Sequence, residues 1–393
     1  MLQKKNDLTR IKKNLKTEIK KQETLKLPSR NNHNPASTVR MGYFVDWDDS
    51  SLNSLKENLS SLDIVAGEWL HLMDASGNLV EDNHDRQKMV TDYIRSHKAD
   101  TKILALVNNF TSGKWQADNL ALSIATTDKR QKIVDFLLQY VENSKLDGVS
   151  LDFESIPLAS QGNMIEFVKA LGTSFHAKKL LVTINLPAGD NNFDYKKYAL
   201  YPDYVIIMAY DEHWSTSEAG PIASIDWFQN VLSEQIKNIP SEKIILALGN
   251  YAYDWMDGSR EAQVRTFEEG MLTAKESEGE ITMDPTSANP TFDYADDDNK
   301  THHVWMLDAT TVFNEMEMAK AYKTHGFALW RLGSEDPSVW SIFDKTNLTK
   351  DDANMLSTMA FKYDVDYEGY GEILRVTQAP QVGDRTIGFD DTT

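Results

Sequence analysis

The sequence predicts a (β/α)8 barrel, and three observations support this fold class. Eight short apolar segments alternate with segments of helical periodicity between residues 40 and 332, an alternation that is typical of parallel sheets. This span of about 290 residues accommodates a barrel of about 250 residues with insertions. No glycine-rich turn follows the first apolar segment, whereas a doubly wound open sheet that binds nucleotides would carry one.

Each strand is predicted from a run of apolar, often β-branched or aromatic, residues that is bounded by polar or turn-forming residues. In chain order, the eight strands are expected at residues 40–47, 62–72, 102–110, 146–154, 180–186, 204–210, 243–250 and 326–332. Helices are expected where apolar residues recur at intervals of three and four. The clearest helices are expected at residues 85–97, 133–142, 163–178, 225–236 and 314–323.

The chain divides into three regions around the barrel. Residues 1–38 are expected to form a leader and linker, and residues 1–30 contain ten Lys or Arg against three Asp or Glu. The barrel itself is expected at residues 39–345, with a small α+β insertion at residues 259–305 between the last two strands. That insertion would contain a helix at residues 261–276 and short strands near Ile281, Phe292 and Val304. Residues 346–393 are expected to form a C-terminal β extension or linker, with ribbons at 361–375 and 379–389.

Composition argues against several functional classes. The formal net charge of −19 argues against nucleic-acid binding, which requires a basic surface. The chain contains no Cys, so neither a disulfide framework nor a thiolate site is available. No apolar run reaches the roughly 18–20 residues of a membrane helix, and no signal-peptide segment follows the basic start. Because no cluster of His, Cys and carboxylate residues has metal-ligand spacing, we expect neither a metal nor an organic cofactor.

The predicted fourth strand carries two neighbouring carboxylates. Residues 149, 151 and 153 are apolar, and the polar residues Ser150, Asp152 and Glu154 alternate with them. Side chains on a strand alternate between faces, so the Cα atoms of Asp152 and Glu154 lie on one side about 6.5–7 Å apart. Crowded carboxylates acquire separated pKa values, which suits acid–base catalysis. A half-exposed strand with a polar outer face explains the same alternation equally well.

Three motifs resemble one enzyme family. Residues 147–154 read D-G-V-S-L-D-F-E and resemble the D-G-x-D-x-D-x-E signature of glycoside hydrolase family 18, the chitinase-like barrels, except that Ser150 replaces the middle Asp. Residues 208–211, M-A-Y-D, are similar to the family's M-x-Y-D motif on the sixth strand. Trp330 lies on the predicted eighth strand, where the family places a Trp beneath the substrate. The motifs occur in the family's order on the expected strands, so the resemblance implies a glycosidase with a TIM barrel.

The resemblance also implies roles for individual residues. Glu154 would act as general acid and then as general base, while Asp152 would orient the substrate's acetamido group and stabilise an oxazolinium intermediate. Tyr210 and Asp211 would hold the acetamido group, and Trp330 would stack beneath the sugar ring. The other residues expected to contact substrate are Tyr43, Trp47, Ser150, Met208 and Trp214.

Position 150 is where the chain departs from the family signature. In the family, the middle Asp shares a proton with the Asp that follows it on the same face of the strand. Ser150 can donate a hydrogen bond but cannot share charge. We therefore expect Asp152 to stay ionised to lower pH than its counterpart in the family.

A closer resemblance is to a bacterial branch in which the barrel is one module of a membrane protein with a polysaccharide deacetylase and a processive glycosyltransferase. It rests on residues 68–70, 210–214, 220–224, 328–337 and 366–376, and it extends over residues 40–390. The resemblance implies an extracytoplasmic domain, either periplasmic or at the cell surface. Its partners would be a polysaccharide or oligosaccharide substrate and a membrane-anchored deacetylase or glycosyltransferase module.

The leading functional hypothesis is a hydrolase or transglycosylase of β-linked N-acetylglucosamine polymers, whether chitin-like, peptidoglycan-derived or an exopolysaccharide. In the family, the substrate's own acetamido oxygen attacks the anomeric carbon, so no protein nucleophile is needed. One alternative is a catalytically weak glycan-binding module that guides a polymer to a deacetylase or synthase. A second is a scaffold that binds protein partners. Retention of Glu154 favours the enzyme, because a module that only binds has no need of a general acid.

Overall fold

The computed structural model describes residues 38–358, 363–366, 373–376 and 386–387. Residues 1–37 of the predicted leader (1–38) lie outside the described residues, as do parts of the predicted C-terminal extension (346–393). The described part of that extension contains a helix, Lys350–Thr358, where only β structure or a linker was expected. Within that extension, strands Tyr363–Asp366 and Ile373–Val376 pair in antiparallel orientation. Among the residues that the structure describes, no helix has the length and apolar character required to cross a membrane.

Eight parallel strands form a closed barrel, which confirms the predicted fold. They are β1 (Val39–Val45), β2 (Ile64–Leu72), β3 (Lys102–Asn108), β4 (Gly148–Asp152), β5 (Leu181–Pro187), β6 (Tyr204–Met208), β7 (Ile244–Gly249) and β8 (Gly326–Trp330). Each strand is hydrogen-bonded to the next, and β8 also pairs with β1 to close the ring. In such a barrel the carboxyl ends of all eight strands meet at one rim, where polar residues following the strands come together.

Helices surround the barrel, and several of them begin directly after a residue whose side chain caps the first turn. The α-helices of the barrel and its loops are Asp49–Asn58, His84–His97, Ala117–Ser123, Thr127–Asn143, Gln161–Ala177, Tyr195–Tyr198, Ile225–Asn238 and Ala309–Ala319, and the helix Lys350–Thr358 follows the barrel. The helix expected at 133–142 starts at Thr127, because the side chain of Thr126 caps it. The helix expected at 314–323 starts at Ala309, because Asp308 accepts a bond from the Thr311 amide at 2.7 Å. Such caps satisfy amides that have no partner within the helix.

The alternation of residues along the strands separates two cores. Outward-facing residues such as Val149 and Leu151 pack with the helices in a large outer core. A smaller core fills the barrel interior and consists of Met41, Tyr43, Ile64, Ala66, Leu104, Leu106, Tyr204, Ile206, Ile245, Ala247 and Ala328. Ser150 is paired in register with the interior residue Leu106. Every residue of β4 is buried, so the alternative of a half-exposed strand with a polar outer face is wrong.

The glycine of the D-G motif is explained by close packing between strands. A Cβ atom added to Gly148 would lie 2.1 Å from the carbonyl oxygen of Leu181 on β5. No side chain fits at that distance, so β4 and β5 can pair in this register only with glycine at position 148. The motif therefore combines one residue that sets strand packing with others that carry chemistry.

The insertion between β7 and β8 is an antiparallel sheet with one helix. Its strands are Tyr251–Met256, Gln263–Thr266, Ile281–Met283, Pro290–Ala295 and Thr301–Met306, its helix is Phe267–Glu276, and Thr386–Ile387 pairs at the sheet's edge. The sheet thus begins directly after β7 rather than at residue 259. The segment expected to begin a helix at 261 includes a strand, because Thr266 and Glu269 form a capping box that starts the helix at Phe267.

Two short paired segments lie at the rim of the barrel. Leu79–Glu81 pairs with β2 in antiparallel orientation. A hairpin of Phe110–Thr111 and Lys114–Trp115 follows β3.

Candidate active site

The residues predicted to carry chemistry converge at the carboxyl rim of the barrel. Glu154 lies two residues beyond the end of β4, Tyr210 and Asp211 follow β6, and Trp330 is the last residue of β8. These positions are far apart in sequence but share one end of the barrel because all of the strands are parallel. Tyr210 and Trp330 pack against the same two clusters of buried residues, which shows that the ends of β6 and β8 are neighbours. Burial raises the pKa of Tyr210, and the nearby charges of Asp152, Asp211 and Glu154 add to that effect.

Glu154 is held by its backbone and leaves its side chain available. The amide of Asn109, just beyond β3, donates to the Glu154 carbonyl at 3.0 Å and accepts from the Glu154 N–H at 2.9 Å. Burial raises the pKa of the Glu154 carboxyl well above its ordinary value, and the charges of Asp152 and Asp211 raise it further. The raised pKa favours the protonated form of Glu154, which a general acid requires.

Asp152 lies beneath Glu154 and is almost enclosed, with 4% of its surface exposed. Its Oδ1 accepts a hydrogen bond from Asn185 Nδ2 at 3.0 Å. Burial raises the pKa of Asp152 to about 7, while the Asn185 bond lowers it and the charge of Glu68 raises it. Burial thus outweighs the Asn185 bond in setting the pKa of Asp152. The expectation that Asp152 stays ionised to lower pH than its counterpart in the family stays a prediction.

A chain of neutral hydrogen bonds orients Asn185 toward Asp152. Tyr43 Oη donates to Asn185 Oδ1 at 2.8 Å, and Ser150 Oγ donates to the same atom at 3.4 Å. Ser150 in turn accepts from Thr183 Oγ1 at 2.9 Å. With Oδ1 occupied by hydroxyl donors, the NH2 group of Asn185 must face the Asp152 carboxylate. Ser150 thus supports Asp152 indirectly, through an amide from the next strand.

Two residues predicted to contact substrate lie below the floor of the site. Ser150 has no exposed surface and Tyr43 has 1%, so neither can touch a substrate directly. Both face the barrel interior because they occupy inward positions on β4 and β1. The ring of Tyr43 instead supports the half-buried Trp330, with ring centres 5.3 Å apart in an edge-to-face arrangement. Ser150 and Tyr43 therefore position other residues of the site and do not contact the substrate themselves.

The side chain of Asp211 is open to the cleft on one side and is surrounded by protein on its other sides. Its backbone has a φ of +62°, and Oδ1 accepts hydrogen bonds from Tyr251 Oη and, at 3.1 Å, from Tyr253 Oη. Both tyrosines lie on the first strand of the insertion, so the insertion holds this carboxylate in place. The protein surrounding Asp211 raises its pKa, although the two hydroxyls lower it. Tyr210 stands edge-on to Tyr251, with ring centres 6.0 Å apart.

The other predicted contact residues lie at different depths. Met208 is half-buried at the end of β6, one layer below Tyr210. Trp214 is exposed on the loop after β6, where its Nε1 donates to Thr216 Oγ1 at 2.9 Å. Trp47 is 63% exposed just after β1, and its Nε1 donates to Glu68 Oε2 at 3.0 Å. The two exposed indoles are available to a long ligand, whereas Met208 is available only to a ligand that enters the site.

Sequence reasoning missed five residues that shape this site. They are Glu68, Asn109, Asn185, Tyr251 and Tyr253. Each lies in or just beyond a predicted strand, so their placement near a strand's carboxyl end was a signal that could have found them. Across the part of the chain that the structure describes, no three His, Cys, Asp or Glu residues are arranged to hold a metal ion.

Comparison with known proteins identifies the family to which this chain belongs. Residues 39–336 match the sequence profile of glycosyl hydrolases family 18. The chain belongs to this family. It is therefore a glycoside hydrolase, and the resemblance noted from its motifs is confirmed.

Individual relatives agree with this assignment. The chain is 27% identical over 323 residues to the uncharacterized glycosylase YvbX of Bacillus subtilis, which covers 79% of this chain and 92% of that protein. It is 24% identical over 251 residues to a cortical fragment-lytic enzyme of Bacillus anthracis, covering 61% and 58% of the two chains. Its fold is similar to that of a chitinase from Chromobacterium violaceum, with a TM-score of 0.71, 22% identity and coverage of 78% and 97%. The Bacillus cereus spore cortex-lytic enzyme SleL has a similar fold, with a TM-score of 0.72, 20% identity and coverage of 81% and 77%.

Proposed function

We propose that this family 18 glycoside hydrolase cleaves β-linked N-acetylglucosamine polymers by substrate-assisted catalysis, with Glu154 as general acid and base. The observation that carries the proposal is the enclosure of Asp152, which is 4% exposed and hydrogen-bonded to Asn185. An ordinary retaining glycosidase needs a second carboxylate that reaches the anomeric carbon. With so little of its surface in the cleft and one oxygen bonded to Asn185, Asp152 is poorly placed to reach the anomeric carbon, although it can accept a hydrogen bond from a group that lies directly against it. The proposal therefore takes the nucleophile from the substrate.

The acetamido group of N-acetylglucosamine is a suitable nucleophile. Its carbonyl oxygen attacks the anomeric carbon while Glu154 donates its proton to the departing glycosidic oxygen, which yields an oxazolinium and a free sugar hydroxyl. Ionised Asp152 stabilises the positive charge and accepts the acetamido N–H. Tyr210 Oη and Asp211 hold the acetamido group in position for attack. Glu154, now ionised, takes a proton from the water that opens the oxazolinium, which restores the starting state.

The ionisation states of the two carboxyls support this cycle. Asp152 must be charged when Glu154 is still protonated. Burial raises the pKa of both groups, but Glu154 is subject to the charges of Asp152 and Asp211, whereas the Asn185 bond opposes the shift at Asp152. The proton is therefore lost first from Asp152, and the pair reaches the required state near neutral pH.

Aromatic side chains support an extended polysaccharide as the substrate. The half-buried Trp330 provides a flat ring at the centre of the site, and exposed Trp47 and Trp214 lie farther out on the rim. Relatives named as chitinases and cortex-lytic enzymes are consistent with polymers that contain N-acetylglucosamine. Such polymers lie outside the cytoplasm, so we place the enzyme there and retain a membrane-anchored deacetylase or glycosyltransferase module as its candidate partner.

Labelled N-acetylglucosamine oligomers with 1,4 and 1,6 linkages provide the test. The wild type should release shorter oligomers, and Glu154→Gln should lower turnover by at least about a thousandfold, because the amide cannot donate the proton. The matched control is Glu166→Gln, a neutral substitution of an exposed residue on the outer helix Gln161–Ala177, which should retain full activity. Oligomers of glucosamine, which lack the acetyl group, should resist cleavage.

Two results would contradict the proposal. Binding of oligomers without turnover in the wild type would indicate a module that only delivers glycan to another enzyme. Cleavage of the oligomers that lack the acetyl group, at a rate similar to that of the acetylated ones, would show that the acetamido oxygen is not the nucleophile.

A further inference from the structure

A second buried carboxylate, Glu68, lies beside the catalytic pair and has no role in the cycle described above. It is on β2, it is 9% exposed, and each of its two oxygens has a different partner. Oε1 accepts from Asn108 Nδ2 at 2.8 Å, and Oε2 accepts from Trp47 Nε1 at 3.0 Å. A carboxylate with both oxygens bonded in this way fixes the relative position of the two donors.

One donor, Trp47, is exposed but rigidly held. The guanidinium of Arg331 lies over its ring, 4.3 Å from the ring centre. Arg331 is itself held by Asp48, whose Oδ2 is 2.6 Å from Arg331 Nη1. The indole is thus fixed at its N–H edge by Glu68 and across one face by Arg331, and its remaining surface is open to solvent. A flat ring that is both exposed and immobilised is suited to stacking against a sugar at little entropic cost.

The other donor connects Glu68 to the catalytic residues. Asn108 ends β3 and is the register partner of Asp152 on β4. The next residue, Asn109, holds the backbone of Glu154 through both ends of its amide. The negative charge of Glu68 also raises the pKa of Asp152. Glu68 therefore contacts the rim indole on one side and influences the reacting centre on the other.

We propose that Glu68 is a positioning residue that links an outer sugar-binding site at Trp47 to the catalytic carboxylates. The outer site takes a further N-acetylglucosamine unit of the same chain, which stacks on the indole while the reacting unit lies over Trp330. The inference rests on the proposed function and adds a dependence on chain length. Long oligomers reach Trp47 and benefit from its fixed orientation, whereas a short substrate that occupies only the centre does not.

Other titratable groups lie close enough to Glu68 to be affected by its charge. Asp46 follows β1, and its pKa is raised to about 6 by burial and by the charges of Asp82 and Glu68, while Arg86 lowers it. His71 on β2 lies 2.6 Å from Asp82, and the pKa of His71 is raised. The charge of Glu68 acts on Asp46 and His71 as well, so Glu68→Gln lowers the pKa of both. Glu68→Asp keeps that charge, so a shift of the pH profile that is seen in Glu68→Gln and absent from Glu68→Asp comes from the charge of Glu68 and not from its hydrogen bonds.

Two substitutions separate the bonds of Glu68 from its charge. In Glu68→Gln the amide NH2 must face one of the two existing donors, and the negative charge is lost. Glu68→Asp keeps the charge but shortens the side chain, so it cannot bridge both donors. Trp47→Ala removes the outer site alone. All three are measured on an N-acetylglucosamine hexamer and on a disaccharide with a chromogenic leaving group.

For the hexamer, Glu68→Gln, Glu68→Asp and Trp47→Ala should each raise KM about three- to tenfold. Combining Trp47→Ala with Glu68→Gln should add no further increase, because both act through one contact. For the disaccharide, the rise in KM should be several-fold smaller than for the hexamer in all three variants, because a substrate of two sugars does not extend to Trp47. Only Glu68→Gln should shift the acidic limb of kcat/KM to lower pH, because only that substitution removes a charge near Asp152.

Equal losses on the hexamer and the disaccharide, with an unshifted acidic limb in Glu68→Gln, would overturn the proposal and leave Glu68 as a residue that only stabilises the fold. Titration calorimetry of the hexamer in the Glu154→Gln background provides a reading that does not depend on turnover. Weaker binding on adding Glu68→Gln supports the link to Trp47 even if the wild type cleaves nothing, and unchanged binding refutes it. Failure of the proposed function would appear separately, as an inactive wild type.

Discussion

Glu315 provides the sharpest test of how burial controls charge in this protein. It lies on the inward side of helix Ala309–Ala319, with 2% of its surface exposed. Within the described part of the chain, its Oε1 has no hydrogen-bond partner. Burial alone raises the pKa of Glu315 well above its ordinary value of 4.5. The folded protein therefore keeps Glu315 protonated at pH values where the unfolded chain releases that proton.

This difference in protonation between the folded and the unfolded state sets the sign and the size of the pH dependence of stability. Because the unfolded state binds fewer protons, the free energy of unfolding falls as the pH rises above 4.5, by about 1.4 kcal/mol per pH unit while folded Glu315 stays protonated. Glu315→Gln has a neutral side chain of the same shape at every pH and escapes this loss. Relative to the wild type, the variant should therefore gain stability between pH 5 and pH 7, up to a limit of about 2 to 3 kcal/mol that corresponds to a fully protonated Glu315 in the folded state.

Urea unfolding of both proteins at pH 5 and pH 7 measures this gain. The matched control is Glu317→Gln on the same helix, whose side chain is 39% exposed and pairs with Lys320 at 2.7 Å. A surface pair of this kind contributes at most about 1 kcal/mol, so the control should show little change between the two pH values. If the stability difference between Glu315→Gln and the wild type were the same at both pH values, the reasoning about buried carboxyls in this fold would be refuted.

Three further predictions concern the active site. The kcat/KM for an N-acetylglucosamine substrate should decrease as the pH is lowered below about 7, because the raised pKa of Asp152 means that its charged form is lost in that range. A flat profile of kcat/KM from pH 5 to pH 8 would contradict this. Tyr253→Phe removes the 3.1 Å bond to Asp211 and should lower kcat/KM about tenfold with an unchanged melting temperature, whereas a parallel loss of stability would indicate a structural role. Ser150→Asp places a buried carboxyl next to the neutral hydrogen-bond partners of Ser150. It should lower the free energy of unfolding by about 2–4 kcal/mol at pH 7 and by less at pH 5, which thermal melts at the two pH values measure. Equal losses of stability at both pH values would be evidence against a buried charge.

Much of the fold could be read from the sequence because its signals are local. Apolar runs define the eight strands, and a chain this regular in its alternation has few other ways to bury them. Element boundaries differ from the predicted ones where a capping side chain decides them. The helix expected at residue 133 begins at Thr127, and the insertion helix begins at Phe267 and not at 261. In both cases a single Thr sets the start, an effect that apolar periodicity does not register.

The candidate site was predicted in part for the same reason. Glu154 and Asp152 lie within one short motif, so their proximity follows from strand geometry alone. Their partners Asn185 and Glu68 come from other strands, and nothing in the local sequence connects them to the motif. The buried positions of Ser150 and Tyr43 were also missed, because alternation separates two faces without stating which face lies inside the barrel.

By itself, the sequence determined that the chain forms a parallel barrel, that two carboxyls stand at the end of its fourth strand, and which family that motif resembles. Only the tertiary structure decided the chemical state of those carboxyls. The pKa values of Asp152 and Glu154 depend on burial and on charges contributed by Glu68 and Asp211, which lie on other strands or loops. Desolvation is a property of everything that surrounds a group in space, so it exists only once the barrel has closed around it.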